Sequence, residues 1–141
     1  MKRICFLFLL IICLTSCKDI ENIPKIDEYI WTMTTVQSGE DGSVIACASS
    51  ETDIYKNVKE LTLNCEAKNG KLEIKDSANN KSYMGTYVIE KNSPKSVIYK
   101  VVIENTEGYA TCGVTTYLDE SKSPIFIITI NNYTLNFKPV M

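Results

Sequence analysis

The clearest structural signal in the chain is the stretch Leu61-Thr62-Leu63-Asn64-Cys65-Glu66-Ala67-Lys68-Asn69-Gly70-Lys71-Leu72-Glu73-Ile74-Lys75. Apolar and polar residues alternate on both sides of Asn69-Gly70, and a period of two is typical of a strand with one buried face. Asn-Gly is strongly preferred in two-residue hairpin turns because both residues tolerate positive φ. The stretch therefore predicts a β-hairpin that turns one face toward a core.

Similar alternation occurs before and after this hairpin, in short segments separated by turn residues. Nine strands are predicted, at residues 29–34, 44–48, 61–66, 72–75, 82–90, 97–104, 109–118, 125–130 and 133–138. Turns are predicted at residues 40–42, 68–70, 78–81, 92–95, 107–108, 119–123 and 131–132. Residues 51–59 carry apolar side chains at helical spacing, which predicts either a single helical turn or a covering loop.

This arrangement of strands indicates an all-β domain, because short strands with short links and almost no helix are typical of a sandwich or a barrel. Consecutive strands are joined by links of hairpin length, as in a meander. A Greek-key sandwich needs a long crossover, and only residues 51–59 could supply one. The sequence therefore predicts a single small antiparallel up-and-down β-barrel of about eight to nine strands, which also removes exposed sheet edges.

Residues 1–16 have the layout of a cleaved secretory signal peptide. Lys2 and Arg3 give a positive start, residues 4–14 form an apolar core, and Thr15-Ser16 are small residues near the cut. The apolar core is much shorter than the ~20 residues of a membrane-spanning helix. We therefore expect residues 1–16 to be removed, residues 17–27 to form a lipidated cysteine and tether, and residues 28–141 to form the domain.

Leu14-Thr15-Ser16-Cys17 resembles the lipobox of bacterial lipoproteins. The resemblance implies that the Cys17 thiol receives a diacylglycerol and that Cys17 becomes the first residue of the mature protein. Two or three acyl chains anchor a protein stably, since each buried methylene contributes about 0.8 kcal/mol. The alternative is an ordinary signal peptide followed by a chance cysteine.

Lys18-Asp19-Ile20-Glu21, directly after this cysteine, is similar to the signal found in surface-exposed lipoproteins of Bacteroidetes-type bacteria. The expected location is therefore the bacterial cell envelope. The membrane would be a partner through lipid on Cys17, at the outer membrane, on either its periplasmic or its surface face.

The composition excludes several classes of function. The mature chain has 17 acidic and 13 basic residues, a net charge near −4 that is mixed along its length. A nucleic-acid-binding protein would show a basic patch, so we expect no nucleic-acid partner. The chain has no histidine, which excludes Ser-His-Asp and Cys-His nucleophiles and histidine-based metal sites. We predict no catalytic residues, no metal site and no cofactor, so an enzyme is the least favoured class.

Three cysteines follow Cys17 in the mature chain, Cys47, Cys65 and Cys112. In an exported protein, an odd number allows at most one disulfide with one spare thiol, and nothing in the sequence selects the pair. The equal alternative is that all three act as small buried apolar side chains, since cysteine is among the most buried residue types.

Trp31 early in the first strand, the Gly85-Thr86-Tyr87 segment and roughly eight short strands resemble the small lipocalin-like domains of bacterial lipoproteins. The resemblance implies a barrel whose interior or mouth holds a small apolar ligand. The side chains that would line such a cavity are Trp31, Met33, Leu63, Tyr99, Phe126, Leu135 and Phe137. The alternative is that they fill the interior, because an eight-stranded barrel is just wide enough for its own side chains.

Two functions are consistent with these features. The first is a non-catalytic, membrane-anchored binding module for a small apolar ligand. The second is a protein–protein interaction or inhibitor module at the cell surface, which would present strand edges and loop tyrosines to an envelope protein.

Overall fold

The computed structural model describes residues 22–140, so Cys17 and the predicted signal peptide lie outside the described residues. Ten strands follow one another in this part of the chain. They are β1 (Trp31–Ser38), β2 (Val44–Cys47), β3 (Lys59–Glu60), β4 (Leu63–Lys68), β5 (Lys71–Asp76), β6 (Lys81–Asn92), β7 (Ser96–Ile103), β8 (Thr106–Thr116), β9 (Lys122–Ile130) and β10 (Tyr133–Pro139). The helical elements within residues 22–140 are two short 3₁₀ turns, Ile26–Glu28 and Ser49–Glu51.

Eight of these strands, β1 and β4 to β10, form a closed antiparallel barrel. Strands β4 to β9 each pair with the next one along the chain, and β1 pairs with β4. The sheet closes where β10 pairs with β1, from Trp31↔Pro139 to Ser38↔Tyr133. The predicted small up-and-down barrel of lipocalin-like form is therefore confirmed.

Strands β2 and β3 lie outside the barrel, in a segment that we call the excursion (residues 39–62). Strand β4 pairs with the start of β1, whereas β2 pairs with its end, at Thr35 to Gln37. Strand β3 runs parallel to β2. The ambiguous residues 51–59 consist mainly of turns, and Glu51 forms an ion pair at 3.2 Å with Lys138 of β10. Of the two predictions for this segment, the covering loop is the closer one.

Asparagine and glycine residues with positive φ form the hairpin turns at Asn69-Gly70 and Asn131-Asn132, as predicted. The turn predicted at Glu107-Gly108 is wrong. The chain turns at Glu104-Asn105, both with positive φ, and Gly108 belongs to β8. Gly108 instead allows β8 and β9 to approach each other closely, because a Cβ there would lie 2.5 Å from the Thr129 carbonyl oxygen.

The barrel interior contains a continuous aromatic and aliphatic core. The ring centroids of Trp31 and Phe126 are 5.2 Å apart, and those of Phe126 and Phe137 are 5.4 Å apart. Full burial of one such side chain contributes roughly 1.5–3 kcal/mol. The largest fully buried side chains are Trp31, Tyr99, Phe126, Ile26, Met33, Leu72, Ile128 and Val101.

One end of the barrel is plugged by the segment that leads into β1. Ile26 is fully buried there. Its backbone N–H donates to Tyr99 Oη at 3.2 Å, and its carbonyl oxygen accepts a hydrogen bond from Trp31 Nε1 at 2.8 Å. Pro24 is also buried. The described part of the predicted tether, residues 22–27 of 17–27, therefore contributes core residues. The sequence carries no sign of this, because a plug has no strand periodicity.

Candidate functional site

The two ends of the barrel differ in structure. We call the end that holds Ile26 the closed end; it also carries the β4–β5, β6–β7 and β8–β9 links. The opposite, open end carries the β5–β6, β7–β8 and β9–β10 links. The excursion leaves from and returns to this end, and its residue Glu51 reaches along the barrel wall to Lys138. This division follows from strand order, since alternate links of an up-and-down barrel lie at the same end.

An apolar cavity occupies the open end. Its inner part has a volume of about 240 Å³ and continues outward into a wider opening of about 490 Å³. Six side chains line both parts, and all are apolar or aromatic: Leu61, Leu63, Tyr83, Ile103, Ile130 and Leu135. We call this space the open-end cavity.

The cavity exists because the inward-facing side chains become smaller along the barrel. Toward the closed end, the inward positions hold Tyr99 in β7 and Phe126 in β9, both fully buried. Toward the open end, the same faces of the same strands hold Ile103 and Ile130. Aliphatic side chains occupy less of the barrel width than aromatic ones, so the interior is filled at one end and hollow at the other.

The seven predicted lining residues divide between these two regions. Leu63 and Leu135 line the open-end cavity, and Leu135 is half-buried. The other five are at most 2 % exposed and belong to the packed core: Trp31, Met33, Tyr99, Phe126 and Phe137. For these five, the structure corresponds to the packed-core alternative.

Several residues of the cavity wall were not among the predicted ones, notably Ile74, Ile103 and Ile130. The alternation within their strands contained the signal. Ile103 is in phase with Tyr99, and Ile130 is in phase with Phe126, so each shares the inward face of its strand. Alternation alone does not show at which end of the barrel each of these residues lies.

One buried carboxylate borders the cavity. Asp76, the last residue of β5, accepts hydrogen bonds from the backbone N–H groups of Ala78 and Asn79 and from Asn79 Nδ2 at 2.7 Å. The pKa of Asp76 lies below its usual value despite burial. The hydrogen bond from the Asn79 side chain is the largest cause, and the two backbone N–H groups and the charge of Lys59 lower the pKa further. The carboxylate is ionised at neutral pH and stabilises the β5–β6 turn.

The outer rim of the cavity is mixed in character. Lys59, Glu104, Thr106 and Asn131 contribute polar groups beside Tyr133. A ligand with an apolar body would therefore enter past hydrogen-bonding groups before it reaches the aliphatic wall. This combination is typical of sites for small molecules.

The three cysteines of the described chain are buried and free. Burial raises the pKa of Cys65 well above that of an ordinary thiol, and it raises the pKa of Cys112 to about 12. A thiol with so high a pKa is a poor nucleophile and metal ligand at neutral pH. Within residues 22–140, moreover, there is no group of three or more Cys, Asp or Glu side chains that could hold a metal ion.

The predicted lipidation site, Cys17, lies outside the described residues. From Asn22 to Val140, the chain has no helix of the length and apolarity needed to cross a membrane. Comparisons with known protein families, with curated proteins and with solved structures find no match to this chain.

Proposed function

We propose that this protein is a lipid-anchored, non-catalytic binding module of the bacterial cell envelope, and that its open-end cavity takes a small apolar ligand. The anchor is the lipid on Cys17, which the lipobox pattern supports. The binding function is supported by one observation above all, the aliphatic cavity at the end of a barrel whose remaining interior is filled.

The size of the cavity limits the ligand. A dry apolar cavity of ~150 Å³ is large enough to bind benzene, and sites for drug-sized ligands usually have volumes of ~300–1,000 Å³. The inner part of the open-end cavity, about 240 Å³, falls between these values. The inner part alone fits a single ring or a short acyl chain, and together with the wider opening it accommodates a larger apolar molecule with a polar group left at the rim.

The direct test is native mass spectrometry of the mature protein purified from its host. A co-purified small molecule of apolar character is the expected result. A protein found empty, or in a fixed ratio with a second protein, would contradict the ligand-binding function.

A fluorescent probe tests the site itself. N-phenylnaphthylamine, an uncharged apolar dye, should bind the mature protein and gain fluorescence. Leu135→Trp, which fills the cavity from its half-buried wall, should weaken dye binding at least tenfold. Val88→Trp adds the same ring at a position of β6 that is 61 % exposed, and it should leave binding unchanged. Equal dye binding by the two variants would show that the dye binds outside the open-end cavity.

The anchor needs a separate test. Full-length protein expressed in its host should sediment with membranes after a high-salt wash, and Cys17→Ala should release it into the soluble fraction. Retention of Cys17→Ala on the membrane would contradict lipid attachment at Cys17.

One specific observation supports the second candidate, a protein-interaction module. Strand β5 covers β6 only as far as Thr86, so residues 88–92 of β6 pair with β7 alone in the described structure. Val88 and Ile89 on this segment are 61 % and 54 % exposed. An uncovered strand edge can add a strand from a partner. Ile89→Lys should then abolish co-purification of that partner while leaving dye binding intact.

A further inference from the structure

The short length of chain between Cys17 and the closed end limits how a lipid-anchored barrel can lie on a membrane. Asn22 is the fifth residue after Cys17, and five residues span at most about 18 Å. Two residues further on, Pro24 is buried, and it is followed by Ile26, the plug residue of the closed end. A lipid on Cys17 would therefore hold the closed end close to the bilayer surface.

The opposite orientation requires more chain than is present. Strand β7 has eight residues, and at ~3.3 Å per residue with a tilt of ~40° it gives the barrel a height of roughly 20 Å. A tether that starts at the closed end would have to run along this height before reaching a membrane at the open end. Its maximum reach of about 18 Å is too short, even without any allowance for the path around the barrel.

Apolar side chains are exposed at the closed end. Ile30 and Val140 are each about half exposed and are adjacent, because the Val140 N–H donates to the Ile30 carbonyl oxygen at 2.8 Å. Leu118 is fully exposed in the β8–β9 link, beside Tyr117. Tyrosine and aliphatic side chains at such positions are suited to the interface between headgroups and acyl chains.

The charges of the two ends also differ. The links and adjoining residues of the closed end carry six lysines and five acidic side chains: Lys25, Lys68, Lys71, Lys91, Lys95 and Lys122, with Asp27, Glu28, Glu90, Asp119 and Glu120. Those of the open end carry three lysines and seven acidic side chains: Lys56, Lys59 and Lys81, with Glu40, Asp41, Asp53, Glu60, Asp76, Glu104 and Glu107. Two ion-paired groups are counted with neither end: Lys138 pairs with Glu51, and Lys75 pairs with Glu66 and Glu73. The closed end is therefore close to neutral and the open end is negative, so an anionic lipid surface repels the open end more strongly than the closed end.

We propose that the closed end is a membrane-docking surface, in which Ile30, Leu118 and Val140 contact the interface of the lipid bilayer and the open-end cavity faces away from it. The inference rests on the proposed lipid anchor at Cys17. It adds that the cavity exchanges its ligand with the aqueous side or with a facing partner, and not with the bilayer that carries the protein.

Quenching by brominated lipid tests this orientation. The lipidated protein is reconstituted into vesicles of phosphatidylethanolamine and phosphatidylglycerol, with and without brominated phosphatidylcholine. Leu118→Trp places a reporter at the closed end, and Tyr133→Trp places one at the rim of the open end; both positions are exposed, so both variants should fold. The chain's own Trp31 is fully buried, and its signal in the parent protein serves as background.

The expected result is strong quenching at residue 118 and none above background at residue 133. Quenching that is equal at the two positions, or stronger at residue 133, would overturn the orientation even though the protein floats with the vesicles. A protein that does not float with the vesicles would overturn the anchor, and the orientation with it. Flotation therefore separates failure of the anchor from failure of the docking surface.

Discussion

The closed and open ends of this barrel are built from the same strands but are stabilised in different ways. At the closed end, Trp31, Tyr99 and Ile26 are fully buried and joined by two hydrogen bonds. At the open end, the same strands end in aliphatic side chains around unfilled space, and Asp76 stabilises one of the turns. The difference shows that one end provides most of the packing energy, which leaves the other end free to keep a cavity.

The largest expected effect belongs to Trp31→Ala. The substitution removes a fully buried ring and leaves the Ile26 carbonyl oxygen without its donor, so we expect a loss of about 3–5 kcal/mol in the free energy of unfolding. Urea denaturation of a chain of residues 17–141 carrying Cys17→Ala, followed by circular dichroism, measures this loss. A loss below about 1 kcal/mol would mean that the plug contributes little to the fold.

Tyr99→Phe probes the same end with a smaller change. The ring stays, but the buried Ile26 N–H loses its acceptor, which costs about 1–3 kcal/mol. Tyr87→Phe is the matched control, because Tyr87 is half-buried and packs edge-on against Tyr99, with ring centroids 5.7 Å apart. A loss at Tyr87→Phe equal to that at Tyr99→Phe would show that the hydrogen bond to Ile26 has no special role.

Leu135→Ala measures the open end. Leu135 is only half-buried and borders space that is already empty, so the loss should be about 1 kcal/mol, at or below the low end of the range for leucine-to-alanine changes in a full core. The same denaturation experiment applies. A loss as large as that of Trp31→Ala would remove the contrast between the two ends.

The smallest effect concerns the pH dependence of the open end. The pKa of Asp76 in the folded protein lies below its unfolded value, so its ionised form stabilises the fold above the unfolded pKa, and this stabilisation is lost as the pH falls through the folded pKa. Asp76→Asn should therefore be less stable than the parent at neutral pH, and the difference should shrink as the pH falls through the folded pKa of Asp76. A difference that does not vary with pH would contradict the ionised state.

Much of the barrel could be predicted from alternation and turn residues. The hairpin around Asn69-Gly70 and the turn at Asn131-Asn132 were predicted at the positions where they occur, because these dipeptides favour positive φ. The first strand, in contrast, runs from Trp31 to Ser38 and not over residues 29–34. The bounds of β1 are set by its pairing with β10, from Trp31↔Pro139 to Ser38↔Tyr133. Because β10 is about a hundred residues away in sequence, this pairing leaves no local signal around β1.

The cavity could be predicted only in part. Alternation identified the inward faces that contain Leu63 and Leu135, but it could not separate them from Phe126 and Phe137, which lie on inward faces of the same strands or their neighbours. The hollow depends on where each inward residue lies along the barrel axis, and therefore on strand stagger. Sequence alone does not give the stagger, nor the burial of Pro24 and Ile26 in a segment without strand periodicity.

The pairing of β1 with β10 has a consequence for the order of events during folding. Thr34 Oγ1 donates to the Asn136 carbonyl oxygen, and Asn136 Nδ2 donates to Thr35 Oγ1, across about a hundred residues of sequence. Contacts at such separation form slowly, because most of the chain must be ordered before they do. The first strand therefore keeps one edge unpaired until the last strand is in place, and during that interval the edge is open to pairing with another chain.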